Sequence, residues 1–365
     1  MERKLPRILA FFCVASAALL VSAQTISPVS TRRIDPLPRS VAWLDAGRLI
    51  VAGTSGVRVL SLRDGTWSQL ISTAPVPDGL TDPLSISTDG RSVVASNGFE
   101  RSQFACRVDN GNRLFARVDP HFMIVDLAVA GTKIYVLGWP ADPMGPNNPD
   151  GIAVWRGGLS PLFEKFQPFH RIQSGPEAVR IFNDSLPVFG GAMAVEPDGT
   201  FDVITTAEPG VFQYSPDGTL RRRLGAQLGE LVMRRMHDIN FTYGTDPTAR
   251  YREVMNRQPT VDDLVVTPDG PAIVVRIANK DVIEWELWYP NATRIDRRVK
   301  LGISRRGPFG HLACDTHDRD LACVYQVPET AQAAVTVNQS MFPSYLVQFK
   351  LPAFRTEGTH VVSKR

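Results

Sequence analysis

Six times along the chain the same short pattern returns: a strand-like run, a tight turn, and a second strand-like run. The copies read SVAWLDAGRLIVAG, PLSISTDGRSVVAS, MIVDLAVAGTKIYVLG, GAMAVEPDGTFDVIT, VDDLVVTPDGPAIVVRI and GHLACDTHDRDLACVYQ. Aligned on their turns they give one column of Val41, Leu84, Val125, Met193, Leu264 and Leu312. Two residues on stand Trp43, Ile86, Leu127, Val195, Val266 and Cys314, and across the turn Ala52, Ala95, Val136, Ile204, Val275 and Cys323. Every position is apolar. Residues two apart in a strand share a face, so each copy presents a matching apolar face to its neighbours. Self-similarity at a fixed period is the mark of an array of equivalent units, none of which buries its face alone.

The spacing between copies runs from 41 to 71 residues, which leaves room for two further strands in each. After the first copy come Val57 to Leu62, Asp64-Gly65 and Trp67 to Leu70. After the fourth come Gly210 to Tyr214, Asp217-Gly218 and Leu220 to Arg223. These are third and fourth strands joined by a tight turn. Six four-stranded units of this length predict an all-β, six-bladed β-propeller. Its blades fall near 40–72, 82–118, 122–169, 190–225, 261–302 and 309–352. A two-sheet sandwich would not repeat at blade length. The last copy supplies only three strands. Either Thr25 to Thr31 or the tail Thr359 to Ser363 is available to complete it; otherwise an edge stays open.

The fourth copy, MAVEPDGTFDVITTAEPGVFQYSPDGTLRRRLG, resembles an NHL repeat. It carries the turn Val195-Glu196-Pro197-Asp198-Gly199, a second turn in Phe212-Gln213-Tyr214-Ser215-Pro216-Asp217-Gly218, and a basic final strand. The likeness covers about residues 192–225. It implies a six-bladed fold of the NHL-repeat and TolB-like kind and no particular activity, because this fold hosts binders and enzymes alike.

Residues 1–23 read as a secretory signal peptide. Arg3, Lys4 and Arg7 precede an apolar run from Ile8 to Val21, and Val21-Ser22-Ala23 offers a cleavage point before Gln24. That run is shorter than the roughly 20 residues that span a bilayer. The expected mature protein is therefore residues 24–365, secreted or periplasmic, with no transmembrane segment. The net charge of +3 falls to about +1 once the leader's three bases and one acid are removed. Such a balance excludes an electrostatic case for nucleic acid. Arg221 to Arg223 and Arg305-Arg306 read as solvated strand ends.

In a propeller the turns within each hairpin lie on one face, and the longer connections lie on the other. Here the long pieces Trp139 to Asp150, Arg171 to Pro187, Ala226 to Pro259 and Glu329 to Pro343 all fall on that second face. Long loops on a rigid scaffold are where binding and chemistry concentrate. Within 226–259 the spacing of Leu228, Leu231 and Val232 predicts a helix, and Thr248 to Arg257 a second short one.

No nucleophile elbow, zinc-protease helix, phosphate-binding glycine loop or calcium loop is present. The candidate site is the channel mouth, ringed by Arg39, Asp82, His121, Asp262, Asp263 and His311. Asp82, Asp263 and His311 are the candidate ligands for a divalent cation. Propeller lactonases and lyases of similar kind place a metal in the channel, so a metal-dependent enzyme is the alternative to a binding module. Trp139 opens a loop rich in proline and side-chain amides, and His237, Tyr243 and Tyr251 are the aromatic and titratable groups of the long insertion. These are candidate contacts for a protein, peptide or carbohydrate ligand. Cys314 and Cys323 face each other across one hairpin, positioned either for a disulfide or as two buried thiols.

Overall fold

A computed structural model describes residues 23–34, 38–53, 56–71, 85–88, 90, 92–96, 103–107, 113–117, 122–140, 152–158, 166–173, 191–196, 198–205, 210–226, 228, 259–279, 282–306, 311–326 and 343–354. The architecture is all-β. The described strands form six sheets, five of them four-stranded and one five-stranded. Sheet 1 holds Pro38–Asp45, Arg48–Gly53, Gly56–Ser61 and Trp67–Ile71. Sheet 2 holds Ser85–Thr88, Val93–Ser96, Gln103–Arg107 and Arg113–Arg117. Sheet 3 holds Phe122–Ala130, Lys133–Pro140, Ile152–Gly158 and Gln167–Gln173. Sheet 4 holds Gly191–Val195, Phe201–Thr205, Val211–Tyr214 and Leu220–Leu224. Sheet 5 holds Thr260–Thr267, Gly270–Asn279, Val282–Pro290 and Ile295–Arg306. Sheet 6 holds Ala313–His317, Asp320–Gln326 and Ser344–Lys350.

The first strand of each sheet is its innermost. These inner strands pack on one another in the order of sheets 1 to 6, and the sixth packs back on the first. That closed circuit defines a β-propeller. The apolar columns become the seams between sheets. Ile50, Val59, Ile86 and Ala95 join sheets 1 and 2, Tyr135, Leu137, Phe201 and Phe212 join sheets 3 and 4, and Ile204, Val211, Ile273 and Trp288 join sheets 4 and 5. Trp285, Leu287, Leu312 and Phe349 join sheets 5 and 6, and Trp43, Leu49, Ala322 and Leu346 join sheets 6 and 1. Of the eighteen aligned positions, Val125, Val195 and Val266 are only half-buried and Leu84 lies outside the described residues.

The N-terminal segment completes sheet 6, and the tail Thr359 to Ser363 lies outside the described residues. Ser30–Ile34 runs antiparallel to Ser344–Lys350, pairing Ser30 with Gln348 and Ile34 with Ser344. The residues just before it do something the repeat pattern does not show. Gln24–Ile26 adds to the outer edge of sheet 5, parallel to Val299–Leu301, and makes that sheet five-stranded. One segment therefore straps two neighbouring sheets before it enters sheet 1. Gly302 permits this approach, since a Cβ there would stand 2.7 Å from the Ile26 carbonyl oxygen.

Among the described residues the only helical one is Leu228. The two helices expected between Leu228 and Arg257 fall on residues outside them, apart from Leu228. That side chain is 4% exposed and packs into the seam between sheets 4 and 5. Among the described residues, no helix is long and apolar enough to cross a membrane.

Candidate functional site

Each inner strand has one edge paired to its own sheet and one edge facing the channel. Backbone N–H groups on the inner edge need acceptors. Side chains from the preceding sheet supply them. Asp126 of sheet 3 accepts from Met193 N–H of sheet 4 at 2.6 Å and from its own neighbour Leu127 at 2.8 Å. Asp263 of sheet 5 accepts from Cys314 N–H of sheet 6 at 2.7 Å and from Leu264 at 2.8 Å. Asp315 of sheet 6 accepts from Trp43 N–H of sheet 1 at 2.7 Å and from Thr316 at 2.8 Å. Ser87 of sheet 2 does the same with a hydroxyl, accepting from Val129 N–H at 3.0 Å. The result is a belt of polar side chains that stitches sheet to sheet around the channel.

Burial pushes all three carboxyls upward: Asp126 to about 7, Asp315 to about 6, and Asp263 well above the usual carboxylate range. Asp126 and Asp315 add to the effect at Asp263 by like-charge repulsion. Amide donation opposes it at each one. Asp263, expected as a metal ligand, is thus a member of this belt, with both carboxylate oxygens engaged by amides. Among the described residues, no three histidine, cysteine or acidic side chains converge in a way that would hold a metal ion.

The mouth lies at the end where the inner strands of sheets 5, 6 and 1 begin. A β-bulge falls between Val261 and Asp263, and another between Pro38 and Ser40. Bulges re-aim a side chain, and the two residues they displace are Asp262 and Arg39. Because of the bulge, the consecutive residues Asp262 and Asp263 both reach sheet 6, accepting from Leu312 N–H at 3.1 Å and from Cys314 N–H respectively. The other oxygen contacts of Asp262 come from its own sheet and from the start of the next. Trp285 Nε1 donates to it at 2.7 Å, Arg276 Nε stands at 3.9 Å, and His311 Nδ1 at 4.0 Å.

Asp262 and Arg276 are almost wholly buried, at 6% and 4% side-chain exposure. Arg276 also donates to Thr260 Oγ1 at 2.9 Å. His311 is 58% exposed yet stands inside the mouth, walled by protein. That enclosure holds its imidazole below the ordinary histidine value, and the charges of Arg276 and Arg39 add to the effect while Asp262 opposes it.

Arg305 completes the group. It sits at the end of the outer strand of sheet 5, paired with Ile283, and is 6% exposed. The expectation that Arg305-Arg306 is a solvated strand end fails at Arg305, because its strand continues into the covered mouth between sheets 5 and 6. Burial and the neighbouring Arg276 bring its guanidinium down to about 10, with Asp262 acting the other way. Arg221 to Arg223, by contrast, are exposed as expected.

Of the ring read from the sequence, then, Arg39, Asp262 and His311 come together and Asp263 turns into the belt. Asp82, His121, His237, Tyr243 and Tyr251 lie outside the described residues. Trp139 is on the second strand of sheet 3, opposite Met123, with only its backbone described. Sequence reasoning missed Asp126, Arg276, Trp285 and Arg305. The available signal for Asp126 was a lone acid inside the apolar run IVDLAVA. Cys314 and Cys323 form a disulfide with Cα atoms 4.1 Å apart, bridging directly paired residues.

No protein-family profile matches the chain. No curated protein matches it in sequence. Solved structures of propeller type align with it over most of its length at low identity. The β-propeller domain of Myceliophthora thermophila Cps50 (Swd1) gives a TM-score of 0.48 at 10% identity, over 88% of this chain and all of that one. A regucalcin from Agrobacterium tumefaciens, described as calcium-binding, gives 0.49 at 10% identity, over 90% and 97%. A gluconolactonase from Xanthomonas campestris gives 0.43 at 14% identity, over 86% of each.

Proposed function

We propose that the chain is an exported six-bladed propeller, of the architecture seen in NHL-repeat proteins, that binds a ligand through the face carrying its long connections. The observation that carries this reading is the asymmetry between the two ends of the ring. Chain leaves and re-enters the sheets over 72–84, 141–151, 174–190, 225–259 and 327–343 on one face. On the other face the inner hairpins close over stretches as short as 131–132, 268–269 and 318–319. The polar mouth of Arg39, Asp262, Arg276, Arg305 and His311 opens on the former.

Two observations support export. Cleavage after Ala23 leaves every described strand whole, since the first begins at Gln24. The Cys314–Cys323 disulfide fits an oxidising compartment. The one carboxylate among the described residues of the mouth, Asp262, already accepts from Trp285 Nε1 and Leu312 N–H, which favours binding over covalent chemistry there.

The test is binding of purified mature protein to glycan and peptide arrays. A variant with 229–258 replaced by a short Gly-Ser linker should fold and lose the array signal, whereas Lys350→Gln on the opposite face should keep it. Equal signals from both variants, or none from the wild type, would refute the proposal. Metal analysis of the same preparation tests the enzymatic alternative: one tightly held divalent ion, released by His311→Ala, would favour it.

A further inference from the structure

We infer that the mouth between sheets 5 and 6 binds the oxyanion group of a ligand, a carboxylate or a phosphate, with Arg305 as its principal donor. This rests on the reading that the loop-bearing face is the binding face, and names the ligand chemistry for it. A guanidinium carries five N–H donors in a planar fork and stays charged, a geometry matched to carboxylate and phosphate oxygens. Arg305 is 6% exposed, and its buried Nε finds no acceptor.

Its electrostatic neighbours are Arg276 and Asp262. Asp262 does not neutralise it. That one carboxylate already accepts from Trp285 Nε1 and Leu312 N–H, and it stands 3.9 Å from Arg276. Among the described residues, Arg39, Arg276 and Arg305 stand at the mouth with His311 and the carboxylate of Asp262.

Packing does not account for an arginine here. Arg305 is paired with Ile283, which belongs with Ile303 to the apolar seam between sheets 5 and 6, where an aliphatic side chain would serve better. A buried charge without a partner costs several kcal/mol. Departures of this kind from local consistency mark functional positions. An oxyanion seated against Arg305 supplies both the missing acceptor and the missing negative charge.

The experiment is calorimetric titration of the full mature chain with inorganic phosphate and, separately, with succinate, at ionic strength held constant with sodium chloride. The wild type should bind at least one of them saturably. Arg305→Gln should weaken that binding at least ~10-fold, the loss expected for a charge-assisted hydrogen bond. Lys350→Gln on the opposite face should leave it unchanged. Absence of saturable binding in the wild type overturns the proposal, as does equal affinity in Arg305→Gln. Should Arg305→Gln fail to fold, Arg305→Lys keeps the charge but not the fork. It should also bind ~10-fold more weakly, and unchanged affinity would overturn the proposal. Loss of this site with array binding intact removes only the ligand class, whereas loss of both removes the reading of the face.

Discussion

Asp126 shows what a single buried acid does to this fold. Its carboxyl is pushed to about 7 from an ordinary value of 3.8. Between those limits the folded state holds a proton that the unfolded state releases. Stability must then fall as pH rises through that window and level off above it. Asp315, raised to about 6, and Asp202, raised to about 7 by burial and by Glu196, act in the same direction. A tenfold difference in proton affinity between the folded and unfolded chain corresponds to about 1.4 kcal/mol, so chemical denaturation should show a marked loss between about pH 4 and 7. Asp126→Asn cannot ionise, but its amide accepts only one of the two N–H groups from Leu127 and Met193. The variant should be about 1–3 kcal/mol less stable than the wild type at pH 4.5, for the donor left unpaired. The two should converge or cross by pH 8. Parallel curves at all pH values would show that Asp126 is not the titrating group.

At the scale of the hairpin, the Cys314–Cys323 bridge closes a short loop inside an apolar seam. Chain-entropy reasoning gives about 2–3 kcal/mol for a loop of this size. Replacing both cysteines by alanine should lower the thermal midpoint by several degrees without abolishing folding, because the seam between sheets 5 and 6 remains. An unchanged midpoint would show that native strain cancels the gain. The same hairpins explain what could be read from the chain. Strand, turn and strand were legible because alternation and turn residues are local. The alignment slipped by two residues between sheets 3 and 5. The tight turn of sheet 5 is Pro268-Asp269, with Gly270 already paired to Thr267, whereas in sheet 3 it is Gly131-Thr132. That slip hid the equivalence of Asp126 and Asp263, each four residues before the last paired residue of its inner strand. Arg39, Asp262 and His311 were legible as mouth residues because they stand at or just before the starts of inner strands. Arg276, Trp285 and Arg305 were not, because their partners come from other strands and from the bulge at Asp262.

For the whole molecule, the decisive device is the N-terminal strap. A ring of sheets must be closed, and here closure uses chain from the far end of the sequence: Ser30–Ile34 covers the outer edge of sheet 6, and Gln24–Ile26 that of sheet 5. The seam between sheets 6 and 1 then depends on inner strands far apart in sequence, locked by Asp315 to Trp43 N–H and by the Trp43 indole donating to the Asp315 carbonyl at 3.1 Å. A chain begun at Asp35 loses both covering strands while keeping every seam residue of the inner strands. It exposes Ser344–Lys350 as a bare edge, a template for pairing with another copy. The truncated protein should unfold several degrees below a chain begun at Gln24 and elute from a sizing column as larger species at rising concentration. A synthetic peptide of residues 24–34 should bind it and reverse both effects by occupying the vacated edges. If the truncated chain matched the one begun at Gln24 in midpoint and elution, closure would rest on the seams alone and the strap would be dispensable. With the strap required, the folding of the last two sheets is tied to the first residues after Ala23. The ring then closes only when both ends of the chain are in place.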